Sequence, residues 1–254
     1  MCLQLPERCL DCRDSPLLPL ALGETDESQI LLYNAASAES PGFLRFLRVA
    51  MDTKTHWEKV YKTKAPETLS WYRPHLETSL DLIERTGAGF SSSIIDVGGG
   101  ESTLANDLTS RGYRNLTVLD ISETAITVCK NRMRQAADHV HWLVADVILT
   151  ELESDMYDVW HDRAVFHFLT GVSQRIAYVH NVAKSVKRGG HVIVSTFGPE
   201  GPTKCSGLDV MRYDADSLHD QFGPKFRLVE SSKELHQTPL GGTQQFLYCY
   251  CRVE

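Results

Sequence analysis

Three adjacent glycines, Gly98, Gly99 and Gly100, stand between two apolar stretches, and Asp96 lies just ahead of them. Glycine at such a point lets the chain turn with φ above zero, and its missing Cβ lets a ligand lie against bare backbone. Free N–H groups at the start of a following helix would add a partial positive charge. The spacing is Gly98-x-Gly100 with Thr103 in the third place, short of a full dinucleotide fingerprint. The acids further along narrow the chemistry. Asp120 closes an apolar run, where a carboxylate suits the two hydroxyls of a ribose. Asp146, with Val147 beside it, suits the exocyclic amine and flat face of an adenine. Asp162 opens a polar and aromatic segment that includes Arg163 and His167. These residues fit an adenosine-containing cofactor, with a nicotinamide dinucleotide as one option.

Such residues can act as a group only if strand ends gather them. Residues 93–97 form a short β-branched run, predicted as a strand leading through the glycines to a helix over 102–110. The pattern then repeats: a strand at 116–120, a helix at 122–136, strands at 140–146 and 157–161, a helix at 173–186 and a strand at 191–197. Ile176, Val179, Val182 and Val186 mark the apolar stripe expected of the last helix, and Lys187-Arg188-Gly189-Gly190 its expected basic, glycine-capped end. Residues 226–231 and 243–253 read as an antiparallel pair turned near Pro239-Leu240-Gly241-Gly242. The fold class is therefore α/β: a doubly wound, mostly parallel sheet with helices on both faces. Ligands of such sheets bind at the carboxyl ends of the strands, where Asp96, Asp120 and Asp146 fall. Upstream, residues 76–86 suit an amphipathic helix with Leu76, Leu80 and Ile83 on one face. Trp57, Tyr61, Trp71, Tyr72 and His75 form either a lid or an ordinary packing surface.

Composition sets the outer bounds. The chain has 254 residues, 42% hydrophobic and 23% charged, the profile of a soluble globular protein whose core needs no disulfide or metal staple. The net charge of −7 argues against a partner held through nucleic-acid phosphates. No apolar run is long enough for a membrane helix. Seven scattered cysteines give no disulfide framework, and Cys9-x-x-Cys12 lacks a second pair at zinc spacing, so no metal site is expected. Cys249 and Cys251 alternate along a strand and read as packing residues. Residues 1–50 show little periodicity and are expected to be a dispensable, disordered extension, with translation starting at Met1 or Met51. The short apolar piece at 17–22 is not a convincing secretory signal. Residues 51–254 are expected to form one domain, with 51–90 as its N-terminal cap.

The chain resembles the class I S-adenosylmethionine-dependent methyltransferases over about residues 57–253. The likeness rests on Ile95-Asp96-Val97-Gly98-Gly99-Gly100-Glu101-Ser102, Val118-Leu119-Asp120-Ile121-Ser122, Val144-Ala145-Asp146-Val147, Tyr157-Asp158-Val159-Trp160-His161-Asp162-Arg163 and Lys187-Arg188-Gly189-Gly190-His191-Val192-Ile193, in that order. The resemblance implies a seven-stranded sheet ordered 3-2-1-4-5-7-6 with strand seven antiparallel, and S-adenosylmethionine as cofactor. It implies that Gly98, Gly99 and Gly100 lie against the methionine part. It also implies that Asp120 with Ile121 holds the ribose, and that Asp146 with Val147 meets the adenine. Asp96 and Asp162 are placed near the methionine part, and Arg163 and His167 are the candidate catalytic residues. No Asn-Pro-Pro or Asp-Pro-Pro motif occurs; His161-Asp162-Arg163 stands in its place, which lowers nucleic acid as an acceptor. The loop after the fifth strand, with Cys205 and then Arg212, together with Trp71 and Tyr72, is expected to shape an acceptor pocket. The expected function is methyl transfer to a small-molecule thiol, chalcogen or carboxylate, by a cytoplasmic monomer or homodimer with no membrane partner. The alternatives are a protein-lysine methyltransferase, a nicotinamide-dependent oxidoreductase and a catalytically silent cofactor-binding subunit.

Overall fold

The computed structural model describes residues 41–254, and of residues 41–51 only the helical backbone is described. Cys2, the Cys9-x-x-Cys12 pair, the apolar piece at 17–22 and the rest of the expected extension up to residue 40 lie outside the described residues. The first described element is helix α1, Pro41–Thr63, which passes straight through position 51.

Seven strands form one sheet: β1 Ser93–Val97, β2 Asn115–Asp120, β3 Val140–Val144, β4 Tyr157–Arg163, β5 Val186–Phe197, β6 Phe226–Gln237 and β7 Thr243–Val253. Their spatial order is β3-β2-β1-β4-β5-β7-β6. Strand β7 runs antiparallel to both β5 and β6, while the first five strands are parallel to one another. The fold class, the order and the single reversed strand match the expectation from sequence.

Both faces of the sheet are covered, so consecutive strand residues are buried on opposite sides. Ile94, Leu116, Val118 and Val159 pack on one side with helices α2 Glu77–Arg85, α3 Leu104–Ser110 and α4 Glu123–Met133. Ile95, Val97, Leu119 and Trp160 pack on the other side with α5 Val172–Ser185 and the short α6 Ala215–His219. The Cys249 and Cys251 thiols share this second side, buried and unbonded, with sulfurs 3.6 Å apart. Among the described residues no helix is long and apolar enough to cross a membrane.

Two local expectations fail, one of them in part, for physical reasons. The stripe on α5 holds in part: Val182 and Val186 are buried and Val179 packs against the core, but Ile176 is 49% exposed, and the helix's buried residues are Tyr178, Asn181, Val182 and Ser185. Three of those four are polar, and each finds a partner inside. The Tyr178 hydroxyl bonds Trp160 and Asp162, Asn181 donates to Val147, and Ser185 donates to Asn181. Hydropathy alone cannot see such a face. Nor does the Lys187–Gly190 run cap α5, which ends at Ser185 with Val186 already in extended conformation. The run lies within β5, where the pairing with β4 jumps from Tyr157↔Val186 to Val159↔His191, and Lys187 is held by Asp158.

Candidate active site

The carboxyl ends of β1, β2, β3 and β4 meet along one edge of the sheet, and a cavity of about 170 Å³ lies there. The glycine turn after β1 is tied to the end of β2, since the Leu119 carbonyl accepts the Gly98 N–H at 2.7 Å. Gly98 has φ +66, and a Cβ there would run into Val165. A Cβ on Gly99 would sit 2.6 Å from Asp96 Oδ2. The bare backbone is therefore required by the packing of the turn itself as well as by any ligand.

Around the cavity stand Asp96, Gly98, Gly99, Asp120, Ile121, Asp146 and Val147. Asp120 is buried; one oxygen accepts the Ser122 N–H at 2.8 Å, and burial pushes the carboxyl up to about 7. Asp146 accepts the Ile148 N–H at 3.0 Å and is also raised by burial. The loop beyond it is held from α5, where Asn181 donates to the carbonyls of Val147 and Thr150. Asp96 accepts from His161 at 2.7 Å through Oδ1, and its Oδ2 has no partner.

The chain N-terminal to β1 roofs this edge. Trp57 from α1 packs edge-on against Trp71 and Phe168, with ring centroids 5.8 and 5.0 Å away. Trp71 and Tyr72 line the cavity, as do Tyr61, Arg163, Phe168 and Cys205. Burial pushes the Cys205 thiol up to about 12, so it stays protonated at neutral pH. The roof is pinned beside Asp120: the Glu58 carboxylate of α1 accepts from the N–H of Glu123, at 2.6 Å, and from the Thr124 hydroxyl, at the start of α4. An acid at a helix N-terminus is favoured by the free N–H groups there.

Four expected residues are not among those lining the cavity. Asp162 faces the opposite side of β4 from His161 and Arg163, because successive strand residues alternate. Its carboxylate is taken by the Val165 and Phe166 N–H groups and the Tyr178 hydroxyl. His167 is wholly buried between Phe168 and Phe197. Its Nδ1 accepts the Phe197 N–H, and burial pulls it down to about 3. It is buried and neutral, and it stands outside the cavity lining, with its Nε2 unpartnered. Arg212 donates to the carbonyls of Pro199 and Gly201 and braces that loop. Gly100 sits behind the cavity, where a Cβ would lie 2.7 Å from Asp120 Oδ2.

Sequence reasoning did not single out a polar string running beneath the cavity. The Asp96 carboxylate bonds His161 Nδ1, His161 Nε2 bonds Ser79 Oγ at 2.9 Å, Ser79 meets the Tyr248 hydroxyl at 3.3 Å, and Arg163 Nε donates to that hydroxyl at 3.2 Å. Arginine can only donate and a carboxylate can only accept, so with one proton on the His161 ring Nδ1–H points at Asp96, the Ser79 hydrogen goes to Nε2 and the Tyr248 hydrogen to Ser79. The guanidinium of Arg163 also donates to the Trp71 carbonyl at 3.0 Å, lies over the Phe246 ring at 4.1 Å and is 3.6 Å from Glu234. Asp96, His161 and Arg163 stand in motifs quoted from the sequence, whereas Ser79 and Tyr248 left no trace there. Glu101, which also lines the cavity, is 6% exposed and has neither carboxylate oxygen hydrogen-bonded.

Comparison with known proteins bears on this arrangement. Residues 94–190 match a family model described as a methyltransferase domain. The human protein EEF1A lysine methyltransferase 2 is 20% identical over 209 residues, which is 75% of this chain and 81% of that protein. A structure described for the conversion of a disulfide bond into a thioacetal group during echinomycin biosynthesis superposes with a TM-score of 0.65 at 18% identity, covering 80% of this chain and 92% of that one. The N-methyltransferase NodS from Bradyrhizobium japonicum WM9, in complex with S-adenosyl-l-homocysteine, superposes with a TM-score of 0.58 at 16% identity, covering 79% and 98%.

Proposed function

Because this chain belongs to the class I S-adenosylmethionine-dependent methyltransferases, we propose that it methylates a small-molecule acceptor held between the glycine turn and the aromatic roof. S-adenosylmethionine supplies an activated methyl group on a sulfonium. The residues present fit this cofactor: Asp120 stands ready for the ribose hydroxyls, Asp146 with Val147 for the adenine, and the uncovered backbone of Gly98 and Gly99 for the tail. The orphaned Asp96 Oδ2, buried among them, fits a donor brought by the ligand.

The protein's own part is then positioning and exclusion of water. Displacement at a methyl carbon needs alignment at near-contact distance, and a base only where the acceptor must lose a proton of high pKa. Trp57, Trp71 and Phe168 form a rigid apolar wall over the cavity, and Arg163 is fixed there by two donated hydrogen bonds. His167 and Cys205 supply no base, one pulled down to about 3 and the other pushed up to about 12, while the Asp120 and Glu101 carboxyls in the cavity lining are raised to about 7. The acceptor in this reading is an anion or soft nucleophile that asks for no strong base: a thiolate, a chalcogenide or a carboxylate. The observation that carries the reading is the aromatic roof of Trp57, Trp71 and Phe168 over the cavity, which suits a compact molecule.

A second reading, methylation of a protein lysine, is favoured by the likeness to the human protein named EEF1A lysine methyltransferase 2. Transfer of labelled methyl into a cell lysate split by size separates the two. Label in the low-mass fraction and in members of a thiol panel supports the small-molecule reading. Label confined to protein hydrolysing to methyl-lysine favours the second, and label in nucleic acid refutes both.

A further inference from the structure

The charges that line the cavity are sorted by sign. The acids Asp96, Glu101, Asp120 and Asp146 stand at the strand ends and the glycine turn, whereas the two cations, Arg73 and Arg163, meet at one acid of β6. Arg73 Nη1 donates to Glu234 Oε1 at 3.0 Å, and Arg163 Nη2 lies 3.6 Å from that same oxygen, too far for a hydrogen bond. Two guanidiniums thus share one carboxylate, and this cluster keeps one positive charge over. The neighbouring imidazole does not change the sum. His236 Nε2 donates to the Ser70 carbonyl at 2.7 Å, and burial, with Arg163 next, lowers the pKa of the ring. A guanidinium has five N–H donors. Arg163 gives one to Tyr248 and one to the Trp71 carbonyl; its Nη2, in a side chain only 5% exposed, has no acceptor. A buried cation with open donors calls for an anion.

We infer that Arg163 and Arg73 receive a carboxylate carried by the methyl acceptor, which makes the substrate a small carboxylic acid. This rests on the small-molecule reading above and narrows it. Three points favour a carboxylate over other anions. A guanidinium offers its N–H groups in one plane, and a carboxylate accepts them in pairs. The surplus is a single charge, which one carboxylate cancels. A phosphate would bring nearly two negative charges into a cavity that four acids already line. The rings of Trp57, Trp71 and Phe168 give the rest of the molecule an apolar wall, so an acid with an aromatic or aliphatic body fits better than a wholly polar one.

Calorimetry on the full chain with S-adenosylhomocysteine present tests this with matched acids and amides: acetate and acetamide, benzoate and benzamide, phenylacetate and phenylacetamide. Phenyl phosphate serves as the rival anion. In at least one pair the acid should bind roughly 10- to 100-fold tighter than the amide, the weight of a charge-assisted contact. Arg73→Gln releases Glu234 to Arg163 and cancels the surplus, so that acid should fall to within about threefold of its amide, while S-adenosylhomocysteine stays within about twofold. Glu234→Gln keeps an oxygen for Arg73 and enlarges the surplus. It should tighten the acid roughly 3- to 10-fold, a gain that a merely structural role for these side chains would not give. An acid no tighter than its amide in every pair, or phenyl phosphate ahead of every carboxylate, overturns the inference. Transfer of methyl to small thiols lacking a carboxylate would still leave the small-molecule reading standing. Lysate label confined to methyl-lysine overturns both. Should either variant not fold, the comparison of acid with amide on the wild type decides alone.

Discussion

Replacing Asp120 with asparagine should move stability and affinity in opposite directions, and pH separates the causes. The carboxyl is wholly buried and raised from 3.8 to about 7, first of all by desolvation. A group raised in the folded state contributes stability that is complete below its unfolded value and is lost as pH climbs through the folded one. For Asp120 the loss runs at about 1.4 kcal/mol per pH unit from near pH 4 to near pH 7, then levels off, so the ionised form costs about 4 kcal/mol. Asparagine does not titrate. It keeps an oxygen for the Ser122 N–H, but turns an amide donor toward the Gly100 backbone that the carboxylate accepts from. That static cost, about 1–3 kcal/mol, is the same at every pH. The stability difference between variant and wild type should therefore shift in the variant's favour by about 2–3 kcal/mol between pH 5 and pH 7.5. In a domain of this size that is about 5–10 °C of melting temperature. Binding of S-adenosylhomocysteine should fall about 10- to 100-fold with the loss of a charged acceptor. Thermal melts across that pH range and calorimetry at pH 7.5 check both parts. Parallel melting curves with undiminished affinity would refute the reasoning.

Two further substitutions probe the turn and the string beneath it. Gly98→Ala should cost about 2–5 kcal/mol, because φ is +66, the new methyl meets Val165 and the Gly98 N–H anchor to Leu119 prevents the turn from sliding away; an unchanged urea midpoint would contradict this. Tyr248→Phe removes the hydroxyl between Ser79 and Arg163 and should cost about 1–3 kcal/mol by stranding two buried polar groups, read as a lower midpoint at unchanged m-value; a neutral result would show the string does not hold as drawn.

The sheet was legible because each parallel strand is a short apolar run with a turn or acid at its end, and Asp96, Asp120 and Asp146 mark three such ends. Side-chain direction was legible only in part. Asp162 and His161 are adjacent in one motif, but the parity of β4 sends His161 to the cavity and Asp162 to the α5 side. His167 stands between two phenylalanines, and only the three-dimensional packing shows its ring closed in against Phe197. The Ser79–Tyr248 pair is separated by 169 residues, and no local pattern forecasts a contact of that range. Glu101 was quoted inside a motif without a role, since its significance is an absence of partners that only coordinates reveal.

The string from Arg163 to Asp96 has every hydrogen aimed the same way, with a cation at its head and an acid at its foot. Bonds aligned like this polarise one another, so a change at either terminus is felt along the whole file. An occupant drawing on the free oxygen of Asp96 would therefore pull on the same file whose far end, Arg163, holds the Trp71 carbonyl. Thermodynamics makes such a debt mutual: if the first guest tightens the hold on the second, the second tightens the hold on the first by the same factor.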